Sequence, residues 1–494
     1  MSVITENPIS RQKTAIRRSE ISRPVRLALE HGLVTTQDTF FDYGCGLGDD
    51  IEYLGQRGID ATGWDPVYRP NQDRVQSDVV NLGYVVNVIE DPIEREHALR
   101  EAWSLSKKLL IVSARLSIEI RNYLSQSQFA DGYITRWRTF QKFYEQHELR
   151  DWINHTLDVQ SVAIAPGIFY VFQDADLLHS FVASRYRRTS ASPQQRNKHL
   201  IFEENRELLD PLFAFLTSRG RLPDESEIDV TAVLERIGTL RRAFAILRDV
   251  IGLEQWDQIR EERAQDLLIY LALTRFGGRP RFSHLPVDLR LDVRAFFLTY
   301  RHACKLADDL LFSAGKLDTV NEACIKSPVG KLTPEALYVH TSALSFLPSV
   351  LRIYEGCARA YIGAVEGANV VKMSRRKAQV SYLYYPDFER DPHPALISSL
   401  VVPLTSFSVR YQDYSDSLNP FILHRKEAFI SADHPLRAKF ARLTDKEERA
   451  GLYEEPQSIG TRSGWQRVLD DKGFRLAGHR LLRNDQRKGA IASS

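Results

Sequence analysis

The sequence is poor in cysteine. Its four cysteines lie far apart, and no two of them form a Cys-x-x-Cys pair: Cys45, Cys304, Cys324 and Cys357. This spacing argues against a disulfide framework and against a zinc cluster. We therefore expect no metal centre and a reducing compartment.

Long apolar runs are also lacking. The most apolar uncharged stretch, residues 395–409, is too short and too rich in Ser, Thr and Pro to span a bilayer. We therefore expect a soluble, cytoplasmic protein that has no membrane partner.

The sequence has no large excess of charge of one sign. The 66 Lys and Arg residues and the 64 Asp and Glu residues leave a net charge of only +2. This balance excludes a globally basic protein of the kind that coats polyanions. Any nucleic-acid-binding surface must be a local cluster.

The chain is long enough for several domains. Short apolar runs alternate with helical stretches between residues 39 and 173, as is typical of an α/β sheet with covering helices. We assign residues 1–183 to this α/β domain, 184–199 to a basic linker and 200–326 to a helical domain. We assign residues 327–494 to an α+β region.

A glycine-rich turn, FFDYGCGLGDD at Phe40–Asp50, is the strongest chemical signal. An apolar strand ends in Asp42, and glycines at alternate positions let the backbone approach a ligand at the strand's carboxyl end. Asp49 and Asp50 open the next helix, where carboxylates suit the dipole but repel a pyrophosphate. Asp65 ends the second strand, where an acid can hold ribose hydroxyls. The alternatives are a plain tight turn or a different nucleotide site.

The strings DYGCGLGDD and GWD resemble motifs I and II of the class I S-adenosylmethionine-dependent methyltransferases. This resemblance implies a Rossmann-like α/β fold and S-adenosyl-L-methionine as the cofactor. It also implies that the methionine part of the cofactor faces Asp42 and the turn, and that Asp65 binds the ribose. The implied cofactor-binding residues are Asp42, Gly44, Cys45, Gly46, Gly48 and Asp65.

The third strand of that fold has too little room. Residues 78–92 are similar to the fourth strand and its loop, and only twelve residues, including two prolines, separate Asp65 from Asp78. A helix of about 11 residues and a strand of about 5 do not fit there. We predict a reduced or missing third strand, with the second strand near an edge or covered by another part of the chain.

Three polar residues follow the fourth strand, where methyl acceptors usually bind: Tyr84, Asn87 and Glu90. The segment NLGY at 81–84 keeps only the first and last positions of the Asn/Asp-Pro-Pro-Tyr/Phe motif of DNA amino-methyltransferases, so it is not that motif. We take Tyr84 as a candidate for stacking on a base, and Asn87 or Glu90 as candidates for orienting it. A structural role in the loop is the alternative for each of these catalytic candidates. We do not expect Cys45 to be a nucleophile.

A basic cluster precedes the aromatic strand QVSYLYYP in the C-terminal region. Lys and Arg neutralise phosphates, and aromatic faces stack on bases. The candidate nucleic-acid-binding residues are Lys372, Arg375, Arg376 and Lys377. The alternative for the tyrosines is a place in the core. Acids and histidines at 387–394 and 419–427 indicate either capped turns or, as a weaker hypothesis, a second site.

Long strings over most of the chain are similar to the methyltransferase family associated with bacterial DNA phosphorothioation gene clusters. They include TAIRRSEISRPVRLALE, VSYLYYPDFERDPHPAL and NPFILHRKEAF. The resemblance implies DNA, including phosphorothioate-modified DNA, as a partner, together with other proteins of this modification and phage-defence system. The leading hypothesis is a DNA methyltransferase. The alternatives are a non-catalytic adaptor or sensor that binds the cofactor, and an RNA or tRNA methyltransferase.

Overall fold

The computed structural model describes residues 9–15, 17–18, 20–119, 127–186, 202, 205–224, 226–406 and 408–484. Positions 187–199 of the basic linker therefore lie outside the described residues. Residue contacts divide the chain into two compact units, the first of 1–173, 324–346 and 357–494 and the second of 174–323 and 347–356. The domain boundaries drawn from the sequence stay a prediction. Among the described residues, no helix is long and apolar enough to cross a membrane.

The N-terminal part of unit 1 contains a six-stranded sheet and a small three-stranded one. The strands are β1 (Thr39–Tyr43), β2 (Asp60–Trp64), β3 (Ser77–Gly83), β4 (Ser106–Ser113), β5 (Ser127–Phe129), β6 (Gly132–Ile134), β7 (Phe140–Gln141), β8 (Ser161–Ala165) and β9 (Ile168–Phe172). The large sheet has the order β2-β1-β3-β4-β9-β8. Strands β1 to β4 are parallel, and β9 is antiparallel to both β4 and β8. The α/β class predicted from the sequence is therefore confirmed, with a mixed sheet.

The strand order reverses between β1 and β3, because the chain goes from β1 outward to β2 and then returns to the other side of β1. In open α/β sheets, ligands bind outside the carboxyl ends of the strands at such a reversal. Residues 65–76, all of which the structure describes, contain only an isolated bridge between Asp65 and Arg69 and no strand. The predicted loss of the third strand is confirmed, and β2 is an edge strand of this sheet.

Helices cover the large sheet: α1 (Arg23–Glu30), α2 (Asp49–Gln56), α3 (Pro92–Leu105) and α4 (Gln146–Leu157). Helix α3 begins with a proline, and Asp91 caps it by accepting a hydrogen bond from the backbone N–H of Ile93. Leu99 of α3 and Leu149 of α4 belong to one buried apolar cluster with Val112 of β4. This core holds the sheet in place, and the polar loops lie at the carboxyl ends of its parallel strands.

The C-terminal part of unit 1 has an antiparallel sheet in the sequential order β10 to β15. Its strands are β10 (Lys331–Leu332), β11 (Ala336–His340), β12 (Val370–Ser374), β13 (Gln379–Tyr384), β14 (Ser398–Pro403) and β15 (Arg410–Asp413). The hairpin β16 (Phe474–Leu476) and β17 (Leu481–Arg483) ends the described chain. Together with the helices at 437–449 and 462–472, these strands form the α+β organisation that the sequence predicts.

Unit 2 is helical in the part that the structure describes. Its helices are α5 (Ala175–Ser184), α6 (Arg206–Arg219), α7 (Thr231–Ile237), α8 (Leu240–Ile251), α9 (Leu253–Leu273), α10 (Val287–Phe297) and α11 (Tyr300–Ala314), and α12 (Leu317–Ile325) and α13 (Ser349–Ile362) begin in it. In unit 1, the last two helices among the described residues are α14 (Arg437–Arg449) and α15 (Arg462–Lys472). Short 3-10 helices occur at Arg11–Thr14, Thr274–Gly277, Phe282–His284, Thr341–Phe346 and Lys426–Ala428.

Candidate functional site

A cleft of about 990 Å³ opens at the carboxyl ends of β1, β2 and β3. Its walls are the glycine turn after β1, the loops after β2 and β3, N-terminal residues between 11 and 22, and the β6–β7 hairpin. Clefts that bury small ligands in proteins have volumes of roughly 300 to 1,000 Å³. This cleft therefore has room for an extended cofactor and a part of a second molecule.

The glycine turn joins β1 to α2 with positive φ at Gly44, Gly46 and Gly48. A Cβ on Gly44 would lie 2.5 Å from Cγ2 of Val85, so only glycine allows the loop after β3 to come this close. Within the turn, burial first and the charge on Asp42 next raise the pKa of the Cys45 thiol to about 12. The thiol therefore stays protonated, which makes it a poor nucleophile.

Asp42 lies at the end of β1 and is buried. It pairs in register with Asn81 on the neighbouring strand β3, and its Oδ1 accepts a hydrogen bond of 2.8 Å from Nδ2 of Asn81. Burial, followed by the charge on Asp50, raises the pKa of Asp42 to about 7. A cation placed next to this carboxyl would be stabilised.

Asp65 connects the turn to the loop after β2. One carboxylate oxygen accepts from the backbone N–H of Gly46 at 3.0 Å, and the other accepts from the backbone N–H groups of Val67 and Tyr68, each at 2.9 Å. A carboxylate offers about four acceptor positions, so about one is left for a ligand hydroxyl. Asp65 lines the cleft. The predicted contact with a ribose stays a prediction.

Tyr84 follows β3 and lines the cleft. Its φ is +58°, and its backbone N–H donates to the carbonyl oxygen of Ser113 at 2.9 Å. Bulky residues rarely adopt positive φ, and such residues cluster at functional sites. Burial raises the pKa of the Tyr84 hydroxyl, so the hydroxyl is protonated at neutral pH.

Asn87 is buried in the wall of the same cleft. Its Nδ2 donates to Oε1 of Gln141 at 3.0 Å, while its Oδ1 has no hydrogen-bond partner among the described residues. Asn81 repeats this arrangement, since its Nδ2 donates to Asp42 and its Oδ1 is buried and unpartnered. Two buried amide oxygens in the wall of this cleft therefore lack donors among the described residues. Sequence reasoning missed Asn81 and Gln141 as site residues, and no local signal identifies Gln141.

Glu90 lies beside the cleft and is not among the described residues that line it. Its carboxylate accepts a hydrogen bond of 2.8 Å from Nε of Arg11. Burial opposes ionisation, but this ion pair prevails and holds the pKa of Glu90 below its ordinary value. The geometry makes Glu90 an anchor for the N-terminal segment, unlike its predicted role in orienting an acceptor.

The N-terminal segment is the largest wall element that sequence reasoning missed. Asp49 accepts hydrogen bonds from Arg17 Nη1 and from the backbone N–H of Arg18, both at 2.7 Å. Asp50 accepts from the backbone N–H of Ser22 at 2.6 Å and from Nη1 of Arg18 at 3.0 Å. The two acids at the start of α2 therefore hold this segment over the turn. The available signal was the basic run at 11–26 together with the acidic pair.

The predicted nucleic-acid cluster lies on β12 and in the turn after it: Lys372, Arg375, Arg376 and Lys377. None of the four lines the cleft. Arg375 Nη1 donates to the carbonyl oxygen of Thr333 at 2.6 Å, and Arg376 Nε lies 3.2 Å from Oε1 of Glu335. Tyr382 and Tyr385 are buried, so the alternative that places tyrosines in the core holds for these two. A role in nucleic-acid binding stays a prediction.

Two of the C-terminal histidines come together. The ring centroids of His393 and His424 are 4.4 Å apart, and both side chains are buried. His393 Nε2 lies 2.8 Å from Oε1 of Glu447, whose other oxygen accepts from the Tyr453 hydroxyl at 2.6 Å. Among the described residues, no group of three or more possible ligands is placed to hold a metal ion. The arrangement is a buried hydrogen-bonded network.

No protein-family model and no curated protein matches the sequence. Some solved structures resemble about a third of the chain. The 1,6-didemethyltoxoflavin-N1-methyltransferase of Burkholderia thailandensis is 12% identical, with 33% of this chain and 78% of that chain covered and a TM-score of 0.23. The magnesium protoporphyrin IX methyltransferase of Synechocystis PCC 6803 is 13% identical, with 33% and 93% covered and a TM-score of 0.24. A methyltransferase of Thermotoga maritima is 19% identical, with 29% and 80% covered and a TM-score of 0.19. TM-scores this low do not establish a shared fold, so a function has to be inferred from the cleft itself.

Proposed function

We propose that the chain is an S-adenosylmethionine-dependent methyltransferase with a class I, Rossmann-like N-terminal domain, and that it acts on DNA in a bacterial phosphorothioation system. One observation carries the methyltransferase part. A single cleft at the strand-order reversal joins the glycine turn, the acids after β1 and β2, and the polar loop after β3. The DNA part rests on the sequence resemblance and on the predicted basic cluster.

The residues of the cleft suit this cofactor. S-adenosylmethionine carries an α-ammonium group, and Asp42 is a buried carboxyl that forms no ion pair among the described residues. The unpartnered Oδ1 of Asn81 is an acceptor for the same kind of donor. Asp65 keeps about one acceptor position for a ribose hydroxyl.

Methyl transfer is a displacement at carbon, so alignment of the two reactants is the main contribution of a protein. S-adenosylmethionine supplies an electrophilic methyl group when it is bound. Asn87 Oδ1 is fixed by the hydrogen bond that Nδ2 makes to Gln141, and it can accept an N–H of an acceptor amine. The ring of Tyr84 is the nearby flat surface for an acceptor base. Glu90 has no part in this scheme, because Arg11 occupies its carboxylate.

Two measurements on the full-length protein test the proposal. Calorimetry with S-adenosylmethionine and S-adenosylhomocysteine should show binding of both. Transfer of labelled methyl groups should then occur to phosphorothioated or unmodified DNA, with RNA as the control. Absence of cofactor binding contradicts the proposal. Binding without transfer to any nucleic acid assigns the chain as an adaptor or sensor, and transfer to RNA alone assigns it as an RNA or tRNA methyltransferase.

A further inference from the structure

The turn between β6 and β7 presents an exposed tryptophan at the mouth of the cleft. The turn has the sequence Arg136-Trp137-Arg138, and the side chain of Trp137 is 61% exposed. Trp137 and Arg136 both line the cleft. Tryptophan is highly buried on average, so an exposed indole beside a ligand cleft indicates that the side chain binds a ligand.

The turn that carries Trp137 is held in one shape. The backbone N–H of Arg138 donates to the carbonyl oxygen of Thr135 at 2.8 Å, and Thr135 N–H donates to the carbonyl oxygen of Thr139 at 2.8 Å. The hydroxyls of the two threonines are 2.7 Å apart. Arg138 has φ of +63°, and its carbonyl oxygen accepts from the backbone N–H of Ser10 at 2.8 Å. These hydrogen bonds therefore hold the strained turn in one conformation, which keeps the indole at the mouth of the cleft.

The same rim carries positive charge without acidic partners. Lys13, Arg136 and Arg138 are exposed, and none of them pairs with a carboxylate in the part of the chain that the structure describes. The guanidinium carbon of Arg136 lies 5.0 Å from the centroid of the Trp137 ring.

Other basic residues of the cleft wall are paired. Arg18 binds Asp50, and Arg115 binds Glu119. The unpaired cations thus lie on the hairpin turn that carries the indole and on the N-terminal segment that contacts this turn through Ser10.

We propose that Lys13, Arg136, Trp137 and Arg138, together called the cleft rim, bind a single-stranded nucleic acid. One base stacks on Trp137, and the phosphates next to it contact the three cations. A base in a duplex has no free face for an indole, so the strand must be single or locally opened. This inference rests on the proposed function and deepens it, because Trp137 lines the same cleft as Tyr84 and Asn87.

Binding of a fluorescein-labelled oligothymidylate to the full-length protein, followed by anisotropy, tests this inference. Stacking on an aromatic side chain contributes about 1 to 3 kcal/mol per base, so Trp137→Ala should weaken binding about 5- to 150-fold. Trp137→Phe should keep most of the affinity. The matched control is Phe129→Ala, since Phe129 is 44% exposed on the same three-stranded sheet and does not line the cleft.

The cations are tested by salt dependence. Combined replacement of Lys13, Arg136 and Arg138 by alanine should reduce the slope of log affinity against log salt by about 2, at about 0.7 per phosphate contact on a single strand. The affinity of each variant for S-adenosylhomocysteine, measured separately, should equal that of the wild type.

Some outcomes overturn the inference. They are unchanged strand binding by Trp137→Ala, an equal loss in the Phe129→Ala control, tighter binding of the same sequence as a duplex, and no strand binding by the wild type. Strand binding that depends on Trp137, in a protein that does not bind S-adenosylhomocysteine, supports the cleft rim and refutes the cofactor part of the proposed function. The two proposals therefore fail by different results.

Discussion

Replacement of Asp42 by asparagine should stabilise the ligand-free protein at neutral and alkaline pH. Burial, and then the charge on Asp50, raises the pKa of Asp42 from its ordinary 3.8 to about 7. Between these two values the folded protein keeps a proton that the unfolded chain releases, so the free energy of unfolding falls as pH rises. Asparagine has the same size, carries no charge and still accepts the hydrogen bond from Asn81.

The magnitude follows from the two pKa values. At about 1.4 kcal/mol per pKa unit, the difference between 3.8 and about 7 corresponds to at most about 4 to 5 kcal/mol of unfolding free energy. Urea unfolding of the wild type and of Asp42→Asn, without ligand, between about pH 5 and about pH 9 measures it. The advantage of the variant should grow as pH rises toward about 7 and should stay constant above about pH 8.

Asp49 is the matched control for this experiment. Burial opposes its ionisation, but hydrogen bonds from Arg17 and from the backbone of Arg18 prevail and hold the pKa of Asp49 below its ordinary value. Asp49→Asn should therefore destabilise the protein at neutral pH. The reasoning about Asp42 is refuted if both variants lose stability alike at about pH 8, or if the difference between Asp42→Asn and the wild type does not change with pH.

The remaining predictions concern the ligand and acceptor sides of the cleft and the C-terminal cluster. Asp65→Ala should weaken S-adenosylmethionine binding in calorimetry by about 1.5 to 3 kcal/mol, through a lost charged hydrogen bond, and an unchanged affinity removes Asp65 from the cofactor site. Tyr84→Ala and Asn87→Ala should each lower the methyl-transfer rate at saturating cofactor and leave the cofactor affinity unchanged. A 100-fold loss of rate corresponds to about 2.7 kcal/mol of transition-state stabilisation. Wild-type rates in both variants would contradict a role of these residues in alignment. Alanine at both Lys372 and Arg376 should reduce the salt slope of duplex DNA binding by about 2, and an unaltered slope assigns these side chains to solvation or folding.

Local signals made part of this structure predictable from the sequence. The alternating glycines predict a turn that needs positive φ, and Gly44, Gly46 and Gly48 adopt it. The acids Asp42 and Asp65 come directly after apolar runs, and parallel strands bring such carboxyl ends to one edge. The missing third strand follows from chain length alone, because too few residues separate two identifiable strands.

The contacts that sequence reasoning missed join residues far apart in the chain. Arg11 and Glu90 are 79 residues apart, and Asn87 and Gln141 are 54 apart. A sequence shows that Glu90 is an acid after a strand, but tertiary packing decides whether its carboxylate is free or paired. The same reason explains why the sequence does not show that Arg375, predicted as a phosphate contact, also donates to a backbone carbonyl.

Both sides of the cleft cost the fold stability, the side of Asp42 through that buried carboxyl and the buried oxygen of Asn81. On the acceptor side, Tyr84 adopts a φ of +58°, which costs a bulky residue about 1 to 3 kcal/mol. Asn87 buries an amide oxygen without a donor among the described residues, and such a group costs about 1 to 3 kcal/mol as well. A fold that only displayed a bound cofactor would gain stability by losing both features through single substitutions. A chain keeps such strain and such an unmet hydrogen bond when the loop that carries them has a second molecule to bind. The features of the loop after β3 therefore favour an enzyme over an adaptor.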